Sequence, residues 1–209
     1  MAVSDSSSGR KPTIVYALIL FNLVAFIADN ILRLPLMRTL YLYHGRMSWW
    51  QPLTACFMHA DRAHLSGNLF LLLLFGRSVE DDLGAVGLLI AFAWCGVLAN
   101  LASLLLLPAG AVSIGASGAV FGLFAVSVLA RLGPRDLDWR KLVELSVLGE
   151  FVIGKMLAEM KTAATGGVAG VNHVAHLSGA GAGVLLVVLI HTLLGKMERT
   201  EDEKQVRGA

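Results

Sequence analysis

Charge is scarce in this sequence. Asp, Glu, Lys and Arg make up 15% of its 209 residues, where a soluble domain carries about a quarter. Residues 85–107 contain none at all. The buried core of a soluble helical protein would account for one such stretch, but several stretches approach the ~20 apolar residues that cross a bilayer. The formal net charge is only +2, so the basic footprint of a nucleic-acid partner is missing. Cysteine is nearly absent. Cys56 and Cys95 lie far apart, which excludes a disulfide framework and leaves them as apolar fillers. His59 and His64 are not joined by a cluster of carboxylates or thiols, so neither a metal nor any other cofactor is expected. No Asn-x-Ser/Thr acceptor occurs, and residues 1–11 are too short and polar for a cleaved signal.

Hydrophobic residues make up 56% of the chain. They arrange as an all-α membrane protein with one helical domain, residues 13–195, between polar tails at 1–12 and 196–209. Spans are expected near 13–28, 64–79, 85–107, 114–130, 142–160 and 174–194. Residues 31–58 are too polar to span and too apolar for a free loop. With Trp49 and Trp50 among Leu34, Leu36, Leu40, Leu42, Leu53 and several arginines, they are expected to lie in the interface and fold back on the bundle. The fifth span is the weakest, because Glu144, Glu150, Lys155 and Glu159 interrupt it. Glu150 should face protein or a watery cavity, or the helix sits loosely. Lys155 and Glu159 are spaced to pair. A charged connector precedes this span, and a Gly/Ala/Thr-rich loop at 162–170 follows it. Eleven basic residues fall on the side of the termini and five on the other, which places both termini in the cytoplasm or its topological equivalent.

That topology gives the polar residues a common depth. His64 and Asn68 sit in the first turns of the second span, Ser117 in the first turn of the fourth and His176 in the first turn of the sixth. All lie at the outer end. Each has a plain alternative. Ser117, within Gly115-Ala116-Ser117-Gly118, is the kind of small residue that lets membrane helices pack. His176 could bridge helices, His64 could be interfacial like His59 and His173, and Asn68 could be an interhelical hydrogen-bond partner. Their shared level favours chemistry, since a histidine near a serine can serve as its base and convergent donors can hold an oxyanion. Gly118 with Gly122, and Gly179 with Gly183, repeat the small-xxx-small pattern that draws helix backbones together. The α/β-hydrolase elbow is excluded, because Ala119 follows Gly118 and no strand precedes the serine.

These residues resemble the rhomboid intramembrane serine proteases. The resemblance runs from Trp49 to Gly183 and rests on Trp50, on His59-Ala60-Asp61-Arg62-Ala63-His64-Leu65-Ser66-Gly67-Asn68, on Gly76-Arg77-Ser78-Val79-Glu80, on Gly115 to Gly118, and on Ala175-His176-Leu177-Ser178-Gly179. Residues 115–128, 138–141 and 172–179 are also similar to plastid rhomboid-like proteins of plants. The resemblance implies a six-transmembrane-helix bundle with a membrane-embedded first loop. It makes Ser117 the nucleophile and His176 its base, a dyad without an acidic third member. The Ser117 amide, His64 and Asn68 would line an oxyanion hole, Phe121 would pack on the histidine, Glu80 would brace the loop after the second span, and the fifth span would gate substrate entry. Gln51 departs from the family, standing where many members have arginine after the tryptophan, and Ala55 replaces a polar residue that some members carry.

The expected function is cleavage of transmembrane protein substrates within the lipid bilayer. A non-catalytic protein that binds transmembrane clients is the alternative, and a small-solute channel ranks last because the polar residues cluster at one depth. A bacterial-type plasma membrane and a plastid envelope both fit, although residues 1–11 are too short for a transit peptide.

Overall fold

The computed structural model describes residues 13–131, 139–164 and 173–207. The N-terminal tail, most of the charged connector, the heart of the 162–170 loop and the Lys155 and Glu159 side chains lie outside what is described. The described chain is mostly helical. Helix α1 spans Ile14–Phe26 and continues through a π-helical turn, Ile27–Ile31. A helix begins with N–H groups that have no partner within it. Here Thr13, Ile14 and Val15 donate theirs to the Glu80 carboxylate at 2.8, 2.9 and 3.0 Å, where the helix dipole favours a negative charge. The hydrogen bonds of Glu80 thus run across to the start of α1.

The first loop folds in short pieces: a 3-10 turn at Pro35–Leu40, strand β1 at Leu42–Tyr43, helix α2 at Gln51–Thr54 and a 3-10 turn at Ala55–Phe57. Helix α3, Arg62–Leu71, starts at Asp61, whose carboxylate accepts the His64 N–H at 2.8 Å. Such a cap stabilises a helix by about 1 kcal/mol. Through a π-helical turn at Leu72–Gly76, α3 runs into α4, Arg77–Leu106.

Among the described residues, three helical stretches are long and apolar enough to cross a bilayer: Ile14–Ile31, Arg62–Leu106 and His173–Leu193. The second holds 45 residues, about 68 Å if straight and more than twice the hydrocarbon thickness. It is not straight. Gly84 has φ 76° and ψ 176°, a conformation that only glycine adopts without strain. A Cβ on Gly76 would lie 3.7 Å from Leu88 Cδ1, whereas those residues would be about 18 Å apart along an unbroken helix. The chain therefore reverses at Gly84, where the sequence expects the second span to end and the third to begin.

Strand β2, Val112–Ser113, pairs antiparallel with β1, Leu42 facing Ser113 and Tyr43 facing Val112. This short ribbon sits in an otherwise helical structure, which fits the all-α expectation. Two-residue strands carry no periodic signal, so nothing in the sequence announces them. The ribbon also moves the start of the fourth span. Helix α5 runs Ser117–Arg131, not from Ile114, because the chain stays extended until Gly115. Helix α6 is Trp139–Ala164 and α7 is His173–Arg207. The polar C-terminal segment expected as a solvated tail is thus helical to Arg207, in keeping with its Glu, Lys, Met and Gln content.

The core is built where α3, α4 and α5 meet, around Leu72, Phe75, Leu88, Phe92, Val120 and Leu123. Helices α5 and α7 touch backbone to backbone: a Cβ on Gly179 would run into the Gly118 carbonyl, and one on Gly183 into the Gly122 carbonyl. Trp94 on α4 donates to the Ala182 carbonyl of α7 at 3.1 Å. Helix α6 is held more lightly. Phe151 meets Phe70 edge-on at 5.8 Å and Val152 is buried, while Leu142, Val143, Val147 and Ile153 are exposed. Glu150 is exposed too, so it does not face the protein core.

Candidate functional site

The chain enters α5 through Gly115, whose N–H donates to the Ala55 carbonyl at 2.9 Å. Its φ is 121°, a value that disfavours any side chain. Space excludes a side chain as well. A Cβ here would lie 2.6 Å from His64 Nε2, 2.7 Å from its Cε1 and 3.6 Å from Asn68 Nδ2. Both α3 side chains, one helical turn apart, therefore rest on the backbone two residues before Ser117.

The Ala60 N–H points to His64 Nδ1 at 3.4 Å. An imidazole nitrogen that accepts a hydrogen bond carries no proton, so the proton of neutral His64 belongs on Nε2, the atom against Gly115. Asn68 is buried, and its Nδ2 has no hydrogen-bond partner among the described residues. A buried amide donor without an acceptor costs about 1–3 kcal/mol. It is an expensive group to keep unless something arrives to accept it.

Ser117 is the first residue of α5 and is partly exposed. On its other side stands α7. The Ala175 carbonyl oxygen would be 3.4 Å from a Cβ on Gly118. The buried His176 ring lies flat on Phe121, with centroids 4.4 Å apart and planes at 7°. Phe121 is one turn after Ser117, so His176 covers the face of α5 on which the serine stands. The glycine contacts between α5 and α7 make that approach possible.

Ser117, His176, His64, Asn68, Gly115, Gly118, Phe121 and Gly179 thus meet at one end of the bundle. Gly183 lies one turn further along α7, packing against Gly122. Glu80 is elsewhere, about 24 Å along the helix from His64, at the start of α1.

His59 differs from its expected interfacial position. It is fully buried, its ring 5.1 Å from that of His64 and edge-on to it. Burial, and then the neighbouring imidazole, push its pKa down to about 3, so it is neutral. The Asn30 side chain donates to its carbonyl at 2.9 Å. His173 is half-buried, with both ring nitrogens out of reach of solvent.

Sequence reasoning missed three supports. Asp61, the cap of α3, could have been found, because an acidic residue three before His64 is an N-cap signature. Ala55, which replaces a polar residue of some relatives, acts through its carbonyl, and no side chain could reveal that. Gln51 is the third. Its Oε1 accepts the N–H groups of Tyr43 and Ser48 at 3.4 and 3.1 Å, and its Nε2 donates to the Thr39 carbonyl at 3.2 Å. An arginine could replace the donor but not the acceptor. The amide thus ties the first loop to α2, and α2 leads to Ala55 and Gly115.

The family model described as Rhomboid domain matches residues 46–193. The chain is 46% identical over 200 residues to "Rhomboid-like protein 11, chloroplastic" of Arabidopsis thaliana, covering 90% of this chain and 70% of that one. It is 30% identical over 148 residues to "Putative rhomboid protease YdcA" of Bacillus subtilis, covering 68% and 67%. With "Rhomboid protease GluP" of the same bacterium it shares 32% over 94 residues, 45% of this chain and 18% of that one. A match over most of the chain, together with apolar helices long enough to span a bilayer, makes this an integral membrane protein that belongs to the rhomboid family.

Proposed function

We propose that this protein is an intramembrane serine endopeptidase that cleaves other membrane proteins in or beside a transmembrane segment through Ser117 and His176. The observation that carries the reading is the convergence on Ser117: His64 and Asn68 press on Gly115 from α3, and His176 covers Phe121 from α7. Relatives that are named proteases support it.

In this mechanism the His176 imidazole takes the Ser117 hydroxyl proton as Oγ attacks the substrate carbonyl carbon. The oxyanion accepts from the Ser117 N–H, from His64 Nε2–H and from Asn68 Nδ2–H, the donor that otherwise lacks a partner. The protonated imidazole then gives its proton to the leaving amide nitrogen and the C–N bond breaks, leaving an acyl-enzyme. Water attacks that ester as His176 takes its proton, and the imidazolium then returns that proton to Ser117 Oγ as the ester C–O bond breaks. The scissile bond must be presented extended, because a helix keeps its carbonyls in internal hydrogen bonds. Substrates should therefore carry small or helix-breaking residues near the end of their span.

The finer architecture belongs to this proposal. The chain crosses the membrane six times, the first loop is embedded in the outer leaflet, α6 is the gate, and both termini lie on the cytoplasmic or stromal side. A plastid or a bacterial-type plasma membrane would suit it. The test is cleavage of a synthetic transmembrane substrate in proteoliposomes. Ser117→Ala and His176→Ala should abolish cleavage at unchanged helical content; activity retained in Ser117→Ala would refute the mechanism. One observation favours a second reading. The exposed apolar face of α6 could hold a client helix without chemistry, and that reading requires client binding to be the wild type's whole activity.

A further inference from the structure

We propose that the cavity between the first loop and the segment preceding β2 binds the phosphate of a membrane phospholipid headgroup. The cavity measures about 690 Å³ and lies between Tyr43, Arg46, Ser48 and Trp50 on one wall and the chain from Ala109 to Val112 on the other. Arg46 supplies the only charge of its lining. No carboxylate pairs with Arg46 among the described residues, and its side chain is exposed. A guanidinium with free donors matches phosphate geometry and binds it with two parallel hydrogen bonds.

Several of the acceptors that would repel an anion here are already engaged. The Thr39 carbonyl takes Trp50 Nε1–H at 3.3 Å and the Gln51 amide at 3.2 Å. Gln51 Oε1 takes two backbone N–H groups, and the Ala111 carbonyl takes that of His44 at 3.1 Å. Arg46 supplies the positive charge of the wall.

The rim argues for a lipid and not a free anion. Met47 and Trp49, which alternate along the chain with the lining residues Arg46, Ser48 and Trp50, are apolar and bare, 46% and 83% exposed, as is Leu36 earlier in the loop at 71%. Tryptophan favours the headgroup level of a bilayer. One amphiphile satisfies both features, with its phosphate on Arg46 and its acyl chains along Met47 and Trp49. The site is separate from Ser117 and does not depend on whether the serine reacts.

The experiment is native mass spectrometry of the detergent-purified full chain titrated with phosphatidylglycerol, with diacylglycerol and inorganic phosphate as separate arms. Wild type should retain phosphatidylglycerol. Arg46→Gln should weaken retention roughly tenfold, the effect of losing a charge-assisted pair, with an unchanged thermal melt. Arg62→Ala, an exposed cation outside the cavity, should bind as wild type does, and diacylglycerol should not be retained. Three results would overturn the proposal: equal retention by Arg46→Gln, an equal loss in Arg62→Ala, or displacement of the lipid by millimolar inorganic phosphate, which would mean a free-anion site.

Discussion

The imidazole of His176 lies flat on the ring of Phe121, 4.4 Å between centroids and 7° between planes. The two rings come from helices whose backbones touch at Gly118 and Gly179. The stack orients a histidine that has no acidic residue assigned to do so. Phe121→Leu keeps most of the bulk and removes the stacking, worth about 0.5–1.5 kcal/mol. Cleavage should slow by roughly two- to tenfold in kcat with KM little changed, while Phe121→Tyr should retain near-normal rates. Steady-state kinetics on a transmembrane substrate would show whether the loss falls on kcat.

Gly115 carries two burdens, a positive φ and the pressure of the His64 ring. Gly115→Ala should displace His64 from its place beside Ser117. The expected loss is that of an oxyanion donor, about 10²–10³ in kcat. The melting temperature should fall less than in Gly179→Ala, where the added methyl meets Gly118 backbone and not a movable ring. Thermal melts of the two variants, read beside their kinetics, separate these effects.

His59 makes the fold sensitive to acid. Unfolded, it should titrate near 6.5; folded, it refuses a proton until about pH 3. The unfolded state thus binds more protons between those values. Stability is complete above the upper value and falls as pH drops toward the lower one, at a limiting slope of ~1.4 kcal/mol per pH unit. Denaturant titrations at pH 7.5 and 5.5 should show about 1.4 kcal/mol more destabilisation in wild type than in His59→Gln, a figure set by one unit below the unfolded pKa. Identical pH responses would contradict a buried neutral histidine.

Gln51 serves as donor and acceptor at once, and substitutions can divide those tasks. Gln51→Glu keeps the acceptor and loses the donor to Thr39. Gln51→Arg does the reverse, and Gln51→Leu loses both. Each single loss should cost about 0.5–1.5 kcal/mol and the double loss more. Proteolytic nicking within residues 35–50 should rise in that order of damage, with Gln51→Leu the most sensitive.

Much of the architecture was legible in the sequence because membrane helices write themselves as long apolar runs. The run at 85–107 and the punctuation at Gly84 are found where the chain turns. The grouping of Ser117, His64, Asn68 and His176 was legible too, since each stands near the start of its helix. The ribbon of Leu42–Tyr43 with Val112–Ser113 was not, being too short for a period. His59 was misplaced for another reason: polarity alone suggests the interface, and only the fold of residues 55–61 buries it. The carbonyl of Ala55 acts through backbone geometry, which no residue type discloses, and the Gln51 side chain meets backbone groups that only the folded loop brings to it.

The central claim is that Ser117 is an activated nucleophile. A fluorophosphonate probe reacts with such a serine and not with one that serves packing alone. Applied to the purified protein in detergent, it should label wild type at Ser117, label His176→Ala far more slowly and leave Ser117→Ala unlabelled. Equal labelling of wild type and Ser117→Ala, or no labelling of either, would contradict the account.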